Sequence, residues 1–310
     1  MKIGDTVKGY RLITRLDRGG SERQYFRCTK GNTTFIMVLD QDIETYIELY
    51  HHLYAKGISV PRIYGYDLEQ KLMIQEDLGD TSLFVLSRAG KDLSTYYQQT
   101  IDELIKLQVD ARQNTPVGCR YDREHILWEQ EYFRDFFLDQ YCGIAKTTIL
   151  TIAEDLKKLA DEVLAHTKPI SDYLMHRDFQ SQNIYIKNGR IRIIDFQSAR
   201  IGPLTYDLSA LLRDAYVQIP PEQEKALLVY YMQKIKARGL QFDETEFSLA
   251  YELTCLQRNM QALGAFANLS LNRGKPHFKQ YIPRGLELLK YGLQKKSFSE
   301  LDELVSNIEI

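Results

Sequence analysis

A hairpin signal flanked by polar residues, running from His176 to Asp207, organises this chain. The segment reads His176-Arg177-Asp178-Phe179-Gln180-Ser181-Gln182-Asn183, then Ile184 to Lys187, Asn188-Gly189, Arg190 to Ile194, and Asp195-Phe196. Two short β-rich runs joined by Asn-Gly predict strands closed by a type I′ turn. A two-residue turn at 188 and 189 pairs Lys187 with Arg190 and Ile186 with Ile191. Carried outward, that register sets Asn183 opposite Ile194 and next to Asp195. Directly opposed residues have Cβ atoms about 5 Å apart, so Asn183 and Asp195 can share one ion. Asp178 lies on a tight polar loop at the same end of the hairpin.

The chemistry of this set suits phosphoryl transfer. Asn183 and Asp195 offer neutral and anionic oxygen ligands, which suit Mg²⁺ bridging nucleotide phosphates. Asp178 can orient a substrate hydroxyl and accept its proton. His-Arg-Asp, four residues, Asn, then Asp-Phe after a hairpin is the catalytic-loop pattern of kinases. Singly, Asp178 would read as a turn residue, Asn183 as a loop cap and Asp195 as a helix cap. Their joint spacing favours the catalytic reading.

At 310 residues the chain is long enough for two lobes with sizeable cores. Its net charge of −2 gives no global pull toward nucleic acid or an anionic membrane. Cys28, Cys119, Cys142 and Cys255 are scattered, without a CxxC pair, which argues against a zinc site or disulfide framework and for a reducing cytoplasm. The N-terminal MKIGDTVKGYRLITRL lacks the apolar core of a signal peptide, and no run approaches the roughly 18 apolar residues of a membrane helix.

In chain order, Tyr10 to Leu16, Gln24 to Thr29 and Thr33 to Leu39 read as three strands. Gly19, Gly20 and Ser21, between the first two, would let the backbone approach nucleotide phosphates closely. The third strand has no lysine where a kinase places one to pair the α- and β-phosphates. Arg23 or Arg27 on the preceding strand can substitute. Ile43 to Lys56 follows helical spacing, with Gly57 as its stop. Lys71 to Gln75 reads as a strand entering Glu76-Asp77-Leu78-Gly79-Asp80. A hinge at about 75–80 divides a nucleotide-binding lobe, 1–78, from a catalytic and substrate lobe, 79–310. There Glu76 and Leu78 would meet the adenine edge through backbone groups. Beyond Leu93 the chain is mostly helical, with predicted helices near 96–110, 122–141, 152–166, 222–238, 244–270 and 280–294, then a polar tail.

This order resembles the aminoglycoside phosphotransferase and choline kinase superfamily. The resemblance implies an α+β, bilobal, protein-kinase-like fold with a small β-rich N-lobe and a large, mostly helical C-lobe. Gly20-Ser21-Glu22-Arg23, Glu76-Asp77-Leu78-Gly79, Gly202-Pro203-Leu204-Thr205-Tyr206-Asp207, Leu211-Leu212-Arg213-Asp214 and Gln257-Arg258-Asn259 narrow it. Together they resemble the anomeric kinases of N-acetylmuramate and N-acetylglucosamine in cell-wall recycling. The resemblance implies ATP and Mg²⁺, with Asp178 as catalytic base and Asn183 and Asp195 as metal ligands. It departs at Ser198, where an acid is expected. An acetylated sugar needs hydrogen-bonding groups beside Asp178, for which Arg213, Asp214, Gln257, Arg258 and Asn259 are candidates. Arg258 can also meet a carboxylate on the sugar. Asp207 is expected to hold the loop backbone and His176 to orient it. The expected partners are ATP and a small-molecule sugar, with no nucleic acid and no membrane, acting on a monomer. An aminoglycoside or choline-type phosphotransferase, or a nucleotide-binding pseudokinase, is the alternative.

Overall fold

The computed structural model describes residues 2–16, 23–294 and 296–310. Gly19, Gly20 and Ser21 therefore lie outside the described residues. The N-terminal part is an antiparallel sheet of β1 (Thr6–Val7), β2 (Tyr10–Leu16), β3 (Gln24–Lys30), β4 (Thr33–Leu39), β5 (Ile63–Asp67) and β6 (Leu72–Glu76), in the order β1-β2-β3-β4-β6-β5. The period-2 alternation of strands gives β3 two faces. Phe26 and Cys28 enter a small core with Leu12, Met37, Leu72 and Ile74, while Tyr25 and Arg27 face the other way. α1 (Ile43–Ala55) follows β4, buries Ile43, Tyr46, Ile47, Tyr50 and Leu53, and stops at Gly57, whose φ of +73° suits glycine.

After Glu76 come α2 (Leu83–Arg88), α3 (Ser94–Ile105), α4 (Arg123–Tyr132), α5 (Lys146–Thr151) and α6 (Ala153–Thr167). π-helical turns prolong α3 over Lys106–Asp110 and α4 over Phe133–Tyr141. The short strand β7 (Tyr173–Met175) leads into the polar loop, then β8 (Ile184–Lys187) and β9 (Arg190–Ile193). β10 (Arg200–Gly202) returns to pair with β7. The chain finishes with α7 (Leu204–Leu212), α8 (Pro221–Ala237), α9 (Glu244–Leu271), α10 (Ile282–Leu293) and α11 (Ser299–Ser306). This is the expected α+β architecture.

α9 is the axis of the helical part. Gly264 lets it approach the turn after α4, since a Cβ there would lie 2.8 Å from the Tyr132 carbonyl oxygen. Below that contact sits a buried carboxylate. Glu129 accepts hydrogen bonds from Tyr121 (3.0 Å), Tyr206 (2.6 Å) and Gln257 (3.0 Å). The terminal segment is not the polar tail that its charges suggested. Leu301, Val305 and Ile308 recur at helical spacing, and α11 buries the first two against the core with Phe298. Among the described residues no helix is long and apolar enough to cross a membrane.

Candidate active site

The hairpin forms in the expected register. Ile184 pairs with Ile193, Ile186 with Ile191 and Lys187 with Arg190, and Asn188 and Gly189 take φ of +53° and +72° as a type I′ turn requires. The Ile194 amide donates to the Asn183 carbonyl, 3.1 Å, which carries the ladder to the polar end. There Asn183 closes a single 3₁₀ turn over Ser181–Asn183. Its Nδ2 donates to the Asp178 carbonyl, 2.9 Å, leaving its side-chain oxygen for another ligand. Asp195 has a left-handed backbone, φ +67°, and accepts from Gln197 Nε2 at 2.8 Å. Burial and the neighbouring Asp178 carboxylate both push the Asp195 carboxyl up.

Asp207, at the start of α7, holds the loop backbone as expected. Its carboxylate accepts the His176 amide at 2.6 Å and the Arg177 amide at 2.9 Å. Those bonds fix Arg177 at φ +77°, an unusual conformation for a long side chain. Burial pushes the Asp207 carboxyl up to about 7, against the pull of the two amides. Asp214 does the same for the next turn, accepting from the Ser181 and Tyr216 amides. The His176 ring lies fully buried, with Nε2 3.0 Å from the Ile194 carbonyl. It thereby ties the loop to the end of the hairpin.

Burial depresses His176 from 6.5 to about 4, so the folded protein keeps it neutral. Its stabilising contribution is complete above pH 6.5. As pH falls through that value the unfolded chain gains a proton that the folded chain refuses until about 4, so stability declines across that window. About 3 kcal/mol should be lost there, at 1.36 kcal/mol per pKa unit. Urea midpoints at pH 7.5 and 4.5 should converge in His176→Gln relative to the unsubstituted protein. An unchanged difference would contradict the buried neutral ring.

Two cavities flank this centre. A polar one of about 320 Å³ is lined by Asp178, Asn183, Asp195, Arg23, Gln180 and Arg258 among others. Tyr216, Phe266 and Phe278 give it an aromatic side, and Gln182 and Gln261 add amides. Ser198, where an acid was expected, lines it too. A smaller slot of about 110 Å³ lies between the sheet and the 75–80 segment, walled by Leu16, Tyr25, Ile36, Leu78, Tyr185 and Ile194. The Glu76 amide donates to the Arg62 carbonyl and the Asp77 carbonyl accepts from Lys187. Among the described residues neither backbone group of Leu78 has a hydrogen-bond partner.

The candidate residues separate in space. Arg258 alone of the five substrate candidates lines the polar cavity, held by Gln261 (2.6 Å) and Gln180 (3.2 Å). Burial opposes its charge, but Tyr206, Asp178 and Glu129 around it more than compensate. Arg213 is turned away, paired with Glu224 (2.8 Å) and Glu252 (2.7 Å) between the rings of Tyr251 and Tyr291. Gln257 is spent on Glu129, Gln130 and the Ile126 carbonyl. Among the described residues the buried Asn259 Nδ2 has no partner, and Asp214 holds backbone. Arg27 pairs with Asp77 (2.8 Å) and Asp80 (3.2 Å) at the slot. Arg23 pairs with Asp40 and lies 3.5 Å from Asp195. Residue spacing along the chain did not single out Asp40, Tyr25, the glutamines or the aromatic side.

A sheet packed on a helical lobe, with His-Arg-Asp and Asp-Phe at the junction, defines a kinase-like phosphotransferase fold. The model of the phosphotransferase enzyme family matches residues 12–241, and the chain belongs to that family. It is 29% identical to an N-acetylmuramate/N-acetylglucosamine kinase of Pseudomonas aeruginosa, over 93% of this chain and 86% of that one. The same identity relates it to a Neisseria meningitidis protein of the same name, over 93% and 89%. In fold it is similar to a choline/ethanolamine kinase family protein from Mesorhizobium loti, with a TM-score of 0.62, 13% identity and coverage of 94% and 92%.

Proposed function

We propose that the chain is an ATP- and Mg²⁺-dependent kinase that phosphorylates the anomeric hydroxyl of an N-acetylated amino sugar. Asp178 serves as base, orienting the hydroxyl and taking its proton as the bond to phosphorus forms. The observation that carries the acceptor class is Arg258, a desolvated cation facing Asp178 inside the cavity. Among the described residues, Asp178 and Asp195 are the only carboxylates lining that cavity. Two carboxylates balanced by Arg23 and Arg258 offer a polycation no net negative charge, and the desolvated Arg258 suits a neutral or anionic acceptor. The size, at the lower end of small-molecule pockets, suits a monosaccharide. The faces of Tyr216, Phe266 and Phe278 can stack on its C–H face, and the glutamines can meet its hydroxyls and amide. The two relatives named as N-acetylmuramate/N-acetylglucosamine kinases support the same reading.

The slot takes the nucleotide base, with the Leu78 backbone at its edge and segment 75–80 as the hinge between lobes 1–78 and 79–310. Asn183 and Asp195 would hold Mg²⁺, since both present hard oxygen donors and a cation would relieve the crowding of Asp178 against Asp195. When bound, the ion neutralises charge on the phosphates.

ADP release is to be followed with Mg-ATP against N-acetylglucosamine, N-acetylmuramate, glucosamine, galactose, choline and kanamycin, with phosphorus NMR on any product. An anomeric sugar phosphate is expected. Turnover on choline or kanamycin alone would discard the sugar pocket, and silence across the panel with ATP still bound would favour a pseudokinase. In the same assay Arg258→Lys should raise the sugar KM about 10-fold or more, the worth of a charge-assisted hydrogen bond, with the ATP KM unchanged. An unaltered sugar KM would remove Arg258 from the acceptor site.

A further inference from the structure

The β4 strand, Thr33-Thr34-Phe35-Ile36-Met37-Val38-Leu39, carries no cation, yet a triphosphate lying between the slot and Asp178 needs one. Three features converge on where that cation is. First, β3 aims alternate residues at the cleft, so that Arg27 and Tyr25 line the slot and Arg23, just before the strand, lines the polar cavity. Second, Tyr25 of the slot and Arg23 of the polar cavity stand two residues apart, which puts them at the boundary between the two cavities. Phosphates that link a base in the slot to an acceptor at Asp178 pass this boundary. Third, Arg23 is built in. Its side chain is 15% exposed, its Nε is paired with Asp40 at the end of β4, and its Nη1 lies 3.5 Å from Asp195. Arg27, the other candidate, is held at the slot by Asp77 and Asp80.

We infer that Arg23 is the phosphate-contacting cation of this kinase and that Asp40 is the acid that positions it. The inference rests on the kinase reading above. Asp40 pairs with Nε of the guanidinium, and Nη1 lies on the side of Asp195 and the path of the phosphates. A planar, permanently charged fork suits two phosphate oxygens better than the compact ammonium of a lysine. Asp40 thereby does from the end of a strand what a helix glutamate does for a strand lysine. On α1, Glu48 lies on the exposed face of its helix.

The test is equilibrium binding in EDTA, by calorimetry, of ATP, ADP and adenosine to the full chain. Arg23→Ala should weaken ATP and ADP about 10-fold or more and leave adenosine unchanged, and Arg23→Lys should restore part of the loss. Asp40→Asn should weaken ATP severalfold alone but add nothing on the Arg23→Ala background, because it acts through the arginine. In turnover assays with Mg-ATP, Asp40→Asn should raise the ATP KM more than it lowers kcat. Arg23→Ala binding ATP normally, or losing ATP and adenosine equally, would overturn the assignment of Arg23. Independent, additive losses would overturn that of Asp40. Failure of the unsubstituted chain to bind ATP or adenosine would instead overturn the kinase reading itself.

Discussion

Asp195→Asn should lower kcat/KM by about 10³-fold at fixed Mg²⁺, with little change in melting temperature. The substitution keeps the size of the side chain and an oxygen for Gln197 Nε2, which now reaches Asp195 at 2.8 Å. What it removes is the charge. A metal ion at a phosphoryl centre contributes several kcal/mol to the transition state, and 1.36 kcal/mol is a factor of ten, so about 4 kcal/mol corresponds to the loss stated. Stability should hold because Asp195 is not at ease in the folded chain. Burial and Asp178 both push its carboxyl up, so neutralising it relieves a repulsion, whereas Arg23 keeps Asp40 as a partner. The measurement is kcat/KM over a Mg²⁺ titration beside a thermal melt. Full turnover at the same Mg²⁺ concentration would remove Asp195 from the metal site, and a large fall in melting temperature would show a structural role.

The meeting of Asp178, Asn183 and Asp195 was legible because it is local. An Asn-Gly turn leaves one favourable register, and that register alone brings residues 183 and 195 to the same end of the ladder. The strands and long helices were legible for the same reason, since their periodicity is written within a dozen residues. The residues proposed for the acceptor were not. Gln257, Arg258 and Asn259 are consecutive on α9, and each step along a helix turns the side chain by about 100°. One faces Glu129, the next the cavity, and no pattern within the segment says which. That depends on the partner of α9, which Gly264 and the turn after α4 decide from segments far apart in the chain. Arg213 was chosen as a cation near the site, yet Glu224 and Glu252 on later helices claim it.

Asp40 shows the same limit from the other side. As a lone acid after a strand it reads as a turn residue, and only the pairing of Gln24 with Leu39 brings it beside Arg23. The last segment of the chain reads as a polar tail because its acids mask the Leu301, Val305 and Ile308 stripe. A short amphipathic helix at a terminus looks polar on composition and apolar on spacing, and burial follows the spacing.

Asp178→Asn is expected to lower kcat by 10²- to 10⁴-fold, the usual worth of a positioned general base, while leaving the KM for ATP nearly unchanged. The split follows from where the residue lies. Asp178 belongs to the polar cavity with Arg258 and Gln180, and the slot proposed for the base is lined by other residues. The loop around it should not collapse, because its backbone is held by Asp207 and Asp214 and not by the Asp178 carboxylate. Even the Asn183 contact is made to the Asp178 carbonyl and survives the change. Two consequences separate this role from a structural one. Asp195 loses the like charge that helps push its carboxyl up, so that carboxyl should titrate lower in the variant than in the parent, measured by NMR. Arg258 loses its facing anion, so an acidic sugar should bind the variant at least as tightly as it binds the parent. Unchanged kcat would remove Asp178 from the chemistry. A variant that lost turnover together with sugar, ATP and Mg²⁺ binding would make Asp178 a structural support of the loop, and the base would have to be sought elsewhere in the cavity.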